Sequence, residues 1–234
     1  MMNLPKNYQG IISKKQQLTK RVFLIGVELL EPKTLDFKPG QFMMFLIDEN
    51  TRRAYSIASS PSLGKEVNGK PGKLELLIDV EPGGPASKYF IDVTRGTKVS
   101  FLAPYGVFSL KETGNEIVFL AGSTGLAPFR AMIGEYYQSQ KSKDKSQKLY
   151  LFLGVHGVSD QFLVEEFREL EKREPTFKFF SVVSELVNKP GEHGSLTKVL
   201  YGQINNLSGK DYYLCGAPSL VQGTREQLLK HGVK

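Results

Sequence analysis

The sequence predicts two domains, an antiparallel β-barrel followed by a doubly wound α/β domain with a parallel sheet. In the first half, short apolar segments rich in β-branched and aromatic residues alternate with turns that contain Pro and Gly, which is typical of an antiparallel barrel. After residues 111–114 (Lys-Glu-Thr-Gly), apolar strands alternate with helical patterns, which is typical of a parallel sheet covered by helices. We therefore expect domains of residues 1–112 and 113–234.

The individual elements follow from the same patterns. In the first half, a turn is expected at residues 38–40 and a polar, Gly-rich loop at residues 62–72. The strands expected in this half are residues 21–30, 41–47, 74–80 and 98–102. In the second half, the expected strands are residues 116–121, 148–153, 177–183 and 211–215. The helices expected there are residues 128–137, 161–172 and 219–230, with a lysine-rich surface loop at 138–147.

Composition excludes several classes of protein. The chain is 40% hydrophobic, and no apolar run approaches the roughly 20 residues that a membrane-spanning helix needs. Residues 1–8 contain one lysine and no apolar core, so we expect no secretory signal. The single cysteine, Cys215, excludes an internal disulfide and a four-cysteine iron–sulfur cluster within these residues. A cytoplasmic location is therefore expected.

The formal net charge is +7, and residues 1–112 hold 16 Lys/Arg and 11 Asp/Glu, or 16 − 11 = +5. A basic face of this kind can steer an acidic protein partner, although it can equally serve solubility alone. The basic residues are scattered without an arginine-rich run, which argues against nucleic-acid binding. The three histidines have no neighbours at ligand spacing, so no metal site is expected.

The segment at residues 53–59, Arg-Ala-Tyr-Ser-Ile-Ala-Ser, carries side chains suited to a flavin nucleotide. The guanidinium of Arg53 can pair with a phosphate in bidentate fashion. Tyr55 can pack against a ring system, and the hydroxyl of Ser56 can hydrogen-bond a ring nitrogen. On a strand, Arg53 and Tyr55 share one face and Ser56 takes the other, unless the chain bends. The alternative is an ordinary strand with a surface arginine and a core tyrosine.

A turn followed by a helix start lies at residues 82–90, Pro-Gly-Gly-Pro-Ala-Ser-Lys-Tyr-Phe. Pro85 suits the first helical turn, and Gly83 and Gly84 let the backbone approach a ligand closely. Free N–H groups and the helix dipole make such a terminus an anion site. The alternative is an ordinary capped helix.

Two further motifs follow strands of the second half. The turn at residues 121–125, Ala-Gly-Ser-Thr-Gly, connects a strand to a helix, the context that a phosphate-binding turn requires. Cys215-Gly-Ala-Pro218 follows the last strand, and ligands of such sheets bind beyond the carboxyl ends of strands. For Cys215 the alternative is a small buried residue at a strand end.

In this order and spacing, the motifs resemble those of the ferredoxin-NADP reductase superfamily, and the resemblance covers nearly the whole chain. It implies a flavin-binding barrel and a nicotinamide-binding α/β domain. It assigns Arg53 to the pyrophosphate of FAD, Tyr55 to the isoalloxazine and Ser56, which follows Ala54 and Tyr55, to the vicinity of flavin N5. The residues that it implies around the pyrophosphate are Gly84, Ala86 and Ser87. Residues 103–106, Ala-Pro-Tyr-Gly, resemble a structural turn of the family.

The resemblance also implies the nicotinamide site. Residues 122–130 match the Gly-x-x-Gly-x-x-Pro-x-Arg pattern of the family, in which Thr124 places a hydroxyl near the nicotinamide. Cys215 is implied to lie near nicotinamide C4, where hydride leaves. The remaining residues implied at this site are Gly122, Ser123, Gly125, Gly216 and Pro218. Arg130 is interpreted as structural, with a ligand contact as the alternative.

The preferred nicotinamide cofactor follows from Ser184-Glu185. Members of the family that use NADPH usually have Ser-Arg there, with the arginine on the 2′-phosphate. Glu185 would repel that phosphate and can bond a ribose hydroxyl, so NADH is favoured. NADPH use stays open through Lys189 or Lys198.

One departure concerns the end of the chain, where most members continue to an aromatic residue that covers the flavin. No aromatic residue follows Tyr213. The flavin face is then open, or covered by another residue, or the natural chain is longer.

The predicted function is hydride transfer from NAD(P)H to bound FAD, and then electron delivery to an acceptor such as a ferredoxin, a cytochrome or an oxygenase component. One alternative is a reductase that uses free flavin as a substrate or reduces ferric iron. Another is a non-catalytic regulatory module that keeps the fold.

Overall fold

The structure is a computed structural model that describes residues 4–138, 147–187 and 195–233. These residues form two compact units. The first unit takes the chain up to Lys111 together with the segment that begins at Ala127. The second takes Glu112–Leu126 and the chain from residue 147 onward. Within the described ranges, no helix is long and apolar enough to cross a membrane.

The first unit is an antiparallel barrel, as predicted, and its described residues form six strands. The strands are β1 (Lys6–Gln17), β2 (Val22–Glu31), β3 (Phe42–Leu46), β4 (Arg52–Ser56), β5 (Lys73–Asp79) and β6 (Lys98–Tyr105). Their order is β4-β3-β6-β1-β2-β5. An antiparallel bridge between Ile57 and Leu76 joins the two edge strands, so the barrel is nearly closed.

The barrel holds a continuous apolar core. Strand β2 is buried over six consecutive residues, because both of its faces pack against other parts of the unit. In the interior, Tyr8 stacks on Phe101 with ring centroids 5.4 Å apart. Two helices belong to this unit, α1 (Pro85–Asp92) after β5 and α2 (Leu126–Gln138) from Ala127 on. Phe90 of α1 is fully buried in the barrel core.

The second unit is a parallel four-stranded sheet with helices. Its strands are β7 (Glu116–Gly122), β8 (Leu149–Val155), β9 (Phe177–Val183) and β10 (Lys210–Cys215), in the order β10-β7-β8-β9. Its helices are α3 (Val164–Arg173), α4 (Ser184–Val187), α5 (Ser195–Gln203) and α6 (Pro218–Lys230). Because all four strands are parallel, their carboxyl ends share one edge. There Cys215 lies opposite Ala121, and Gly122 lies opposite Gly154.

Several elements differ from the sequence predictions. Strand β1 was not predicted, because its exposed face is polar and only Tyr8, Gly10 and Ile12 alternate inward. Helix α3 begins at Val164, three residues after its predicted start, because Leu163 before it has a left-handed backbone conformation with a φ of +55°. Helix α5 was also not predicted. Most of the loop predicted at 138–147 lies outside the described residues.

Candidate functional site

The four residues predicted to face the flavin are consecutive on β4. They pair in register with β3: Arg53 with Phe45, Ala54 with Met44, Tyr55 with Met43 and Ser56 with Phe42. Directly opposed residues of a sheet point to the same face. Arg53 and Tyr55 therefore share the face of the buried residues Met43 and Phe45, and Ser56 lies on the other face.

Tyr55 lies in an aromatic cluster that also contains helix α1. The centroid of its ring lies 5.3 Å from that of Phe90 and 6.4 Å from that of Phe45, and the rings are nearly perpendicular in both pairs. Tyr89 contacts the same two phenylalanines. Burial raises the pKa of Tyr55 to about 12, although the charge of Arg53 acts in the opposite direction. The phenol therefore stays protonated at neutral pH. The aromatic rings also bring the β4 motif together with the helix that follows the glycine turn at residues 82–84.

The turn before α1 has the features of an anion site. Gly84 is the N-cap residue and offers no capping side chain, and Pro85 follows it in the first turn. Gly83 has a φ of +68°, a conformation that glycine adopts readily. A Cβ at Gly84 would meet nothing within 4 Å, so a ligand can approach the backbone. The N–H groups at Ala86 and Ser87 belong to the first turn, where helical N–H groups lack intrahelical partners.

An ion-pair network holds the chain that leads into this turn. Arg21 binds Asp79 at 2.6 Å and Glu81 at 2.5 Å. A carboxylate oxygen of Asp79 also accepts the backbone N–H of Glu81 at 3.0 Å. The guanidinium offsets one of the two negative charges on the carboxylates that lie three to five residues before Gly84. An anionic ligand at the turn would otherwise be repelled by them.

In the second unit, the glycine turn and the Cys215-Gly216 segment pack backbone against backbone. A Cβ at Gly125 would lie 2.3 Å from the carbonyl oxygen of Cys215 and 2.7 Å from the nitrogen of Gly216. A Cβ at Gly216, whose φ is +153°, would lie 3.1 Å from the Cα and the nitrogen of Gly122. These close backbone contacts, and the positive φ at Gly216, favour glycine, so the structure explains the glycines at two of the predicted positions.

Ser123 and Thr124 lie between these glycines in a short 3-10 turn. Ser123 has a φ of +48°, which is uncommon for a residue with a side chain. Both side chains are partly buried. The turn therefore has a defined backbone conformation directly beyond β7, at the edge where sheets of this type bind ligands.

Cys215 is partly buried at the carboxyl end of β10. Burial raises the pKa of its thiol, and a hydrogen bond from the N–H of Gly216 lowers it by a smaller amount. The thiol is therefore neutral at physiological pH and is poorly suited to nucleophilic chemistry. Pro218 begins helix α6 after an N-cap, Ala217, that has no capping side chain.

Glu185 lies in α4, directly after β9. Its Oε1 accepts the backbone N–H of Val158 at 2.9 Å, and its own N–H donates to the carbonyl of His156 at 3.1 Å. The carboxylate of Asp160 accepts the N–H of Gly157 at 3.0 Å. Two acidic residues thus border the loop after β8. Lys198 is exposed on α5, and Lys189 lies outside the described residues.

Comparison with known proteins identifies both domains. The family model of the oxidoreductase FAD-binding domain matches residues 9–110, and that of the oxidoreductase NAD-binding domain matches residues 119–226. The chain belongs to the ferredoxin-NADP reductase superfamily. Within the described part of the chain, no cluster of His, Cys, Asp and Glu residues is arranged to hold a metal ion.

Curated members of the superfamily are similar over most of this chain. The toluate 1,2-dioxygenase electron transfer component of Pseudomonas putida is 28% identical over 97% of the chain and 65% of its own length. The reductase component of propane 2-monooxygenase from Rhodococcus jostii is 26% identical over 94% and 59%. One component of the Na(+)-translocating NADH-quinone reductase of Methylococcus capsulatus is 32% identical over 77% and 46%. The chain thus spans less than two thirds of each of these relatives.

Solved structures of the superfamily have the same fold. A cytochrome P450 reductase from Amycolatopsis superposes with a TM-score of 0.82 at 24% identity, over 97% of this chain and 67% of the other. The ferredoxin-NADP+ reductase of Plasmodium falciparum superposes with a TM-score of 0.76 at 17% identity, over 96% and 91%.

Sequence analysis did not identify several residues that support the superfamily motifs in this chain. Phe90 packs directly against Tyr55, and Tyr89 packs against Phe90. Two consecutive aromatic residues after the Gly83-Gly84 turn are a sequence signal that could have predicted this cluster. Asp79 and Glu81 had no such signal, because their partner Arg21 lies 58 residues from Asp79 in the sequence.

Proposed function

We propose that this protein transfers a hydride from NADH to bound FAD and then passes electrons to a protein acceptor. The proposal is supported by the match to both cofactor domains. It is also supported by relatives whose names describe electron transfer and reductase components of oxygenases. Because the chain covers only part of those relatives, the activity of this protein is inferred from its own residues.

The observation that carries the proposal is the meeting of the β4 motif and the α1 turn in one aromatic cluster of the first unit. The planar ring system of a flavin nucleotide needs an aromatic surface. The phosphates of the nucleotide need a cation and free N–H groups. This region offers all of them. Arg53 is exposed, and its guanidinium donates to the carbonyl of Arg52 at 2.8 Å. With five donors in all, it keeps capacity for a phosphate.

The residues of the first unit fit FAD in the following way. Arg53 and the first-turn N–H groups at Ala86 and Ser87 bind the pyrophosphate through charge-assisted hydrogen bonds and the helix dipole. Tyr55 packs against the ring system and keeps its proton. Ser56 offers a hydroxyl to the ring. When bound, FAD supplies the chemistry that joins a two-electron donor to one-electron acceptors.

The residues of the second unit bind and orient the nicotinamide cofactor. The Gly122–Gly125 turn presents backbone N–H groups to its phosphates, and Thr124 contributes a hydroxyl. Cys215 gives a neutral, compact contact beside the nicotinamide, because burial keeps its thiol protonated. Gly216 and Pro218 shape the strand end that carries Cys215.

The preference for NADH rests on Glu185. The N–H of Val158 holds its carboxylate in place, and a carboxylate accepts more than one hydrogen bond. It can therefore accept a ribose hydroxyl, and it would repel a 2′-phosphate. Asp160 adds a second negative charge next to the same loop.

The electron acceptor is proposed to be an acidic protein, such as a ferredoxin, a cytochrome or an oxygenase component. The charge of +5 on residues 1–112 favours steering of such a partner. A reducing cytoplasm suits a chain with one unpaired cysteine.

An absorption spectrum of the purified protein, before and after anaerobic addition of NADH, tests the proposal. We expect a yellow protein with stoichiometric FAD that NADH bleaches. A colourless protein that turns over only with added flavin would indicate a free-flavin or ferric reductase. A colourless protein without turnover would indicate a regulatory module.

A further inference from the structure

Arg130, on helix α2, makes two polar contacts with the barrel inside the first unit. Its Nη1 forms an ion pair with Oε2 of Glu75 at 2.6 Å and donates to the carbonyl oxygen of Ala58 at 3.1 Å. Both charged side chains are largely buried, with 17% and 21% of their surface exposed. Pairs in such surroundings are screened less by solvent than surface pairs. This ion pair is therefore a structural part of the first unit.

One of the two atoms, the carbonyl oxygen of Ala58, belongs to the segment directly after the predicted flavin strand, and the other belongs to Glu75 on β5. Ala58 is two residues beyond Ser56, and its N–H donates to the carbonyl of Glu75 at 2.7 Å. The N–H of Glu75 in turn donates to Oγ of Ser59 at 3.1 Å. Arg130 thus completes a network that fastens the end of β4 to β5, where the bridge at Ile57 closes the barrel.

We infer that Arg130 is a positioning residue for Ser56, an inference that rests on the proposed function. Arg130 acts on Ser56 indirectly, through the backbone carbonyl of Ala58 and the side chain of Glu75. A guanidinium can bind a carboxylate and a carbonyl at the same time in fixed geometry, which a lysine ammonium does less well. Arg130, the last residue of the 122–130 motif, therefore has a second role. It belongs to the helix after the nicotinamide turn, and it also acts on the predicted flavin strand.

The consequence for hydride transfer follows from the sensitivity of such reactions to geometry. A displacement of about 1 Å can slow a reaction by as much as ~100-fold. Without Arg130, the carbonyl of Ala58 and the carboxylate of Glu75 lose a buried donor, and the end of β4 is free to shift. The Ser56 hydroxyl would then no longer keep its place at the flavin ring.

A double-mutant cycle in stopped-flow reduction of the FAD-loaded protein by saturating NADH tests the inference. We expect Arg130→Met to slow reduction by about tenfold or more. In a Ser56→Ala background, we expect the same change to slow it by less than about twofold, because the residue that Arg130 positions is already gone. If the fold-losses in reduction rate of the two single variants multiply in the double variant, the inference is overturned.

Gln138→Met is the matched control on the same helix. Oε1 of Gln138 accepts hydrogen bonds from Ser60 and Ser62 at 3.0 and 2.9 Å, farther along the chain from Ser56. We expect a lower melting temperature and a reduction rate within about twofold of wild type. A loss equal to that of Arg130→Met would overturn the inference, since any loosening of α2 would then suffice.

Arg130→Lys serves if Arg130→Met does not fold, and the same non-additivity with Ser56→Ala is expected. An unchanged rate in Ser56→Ala alone would also overturn the inference, because nothing would remain for Arg130 to position. A wild-type protein that NADH cannot reduce would refute the proposed function together with the inference. Multiplying losses in a protein that NADH does reduce refute the inference alone.

Discussion

Replacing Gly125 by alanine should impair the nicotinamide turn more than any other single methyl group added at a predicted site. The new Cβ would lie 2.3 Å from the carbonyl oxygen of Cys215 and 2.5 Å from its carbonyl carbon. Ordinary contacts begin near 3.4 Å, so the two backbones must separate by 3.4 − 2.3 = 1.1 Å. The Cys215 atoms that the new Cβ would meet are backbone atoms at the end of β10, so no flexible side chain can give way.

The cost of this separation is that of overpacking, about 1–3 kcal/mol of unfolding free energy. For a domain of this size, each kcal/mol lowers the melting temperature by roughly 4–8 °C. Because the displaced atoms belong to the turn and to Cys215, hydride transfer should also slow, by as much as ~100-fold. Gly125 belongs to the second unit, so FAD content should be unchanged.

Stopped-flow reduction by NADH and a thermal melt measure the two effects. Gly223→Ala is the control, since Gly223 lies inside α6 and its added Cβ would meet nothing within 4 Å. That change should stabilise the helix by about 0.5–1 kcal/mol. If Gly125→Ala reduces FAD at the wild-type rate and melts at the wild-type temperature, the close approach of these backbones is not a constraint on the site.

Four further predictions concern three side chains, Arg53, Glu185 and Cys215. Arg53→Ala should weaken FAD binding by about tenfold or more in a fluorescence titration, because a charge-assisted phosphate contact is lost, whereas Arg52→Ala should not. Glu185→Arg should shift the cofactor preference toward NADPH in flavin-reduction kinetics, because it replaces repulsion of the 2′-phosphate with attraction. The control Glu165→Arg on α3 should leave the preference unchanged. A preference of the wild-type protein for NADPH would contradict the assignment. Cys215→Ala should slow reduction while FAD content stays intact, and a lower melting temperature with an unchanged rate would assign the residue to packing alone. Because the pKa of Cys215 is raised, its alkylation by iodoacetamide should be slow at neutral pH and should accelerate only when the pH rises above the pKa of an ordinary thiol. Rapid reaction at pH 7 would refute the assignment of a buried, neutral thiol.

The pattern of apolar segments and turns predicted most strands and the switch from barrel to α/β sheet, because each depends on local alternation and local turn residues. Strand β1 was not predicted, since it is mostly polar and one of its two partners, β6, is distant in the sequence, although the other, β2, follows it directly. Helix α5 was also not predicted, and α4 is only four residues long.

The motifs also indicated where the cofactor residues would lie, because a glycine turn after a strand and a Pro-led helix start are local features. The sequence by itself therefore determined the two domain types and the segments that carry the proposed site. Only the tertiary structure decided which side chains meet: Arg130 with Glu75, 55 residues apart, and Glu185 with Val158, 27 residues apart. Such pairs have no local pattern, because the closure of the barrel and the shared edge of the parallel sheet bring them together. Likewise, the clash that makes Gly125 necessary exists only because β10 pairs with β7.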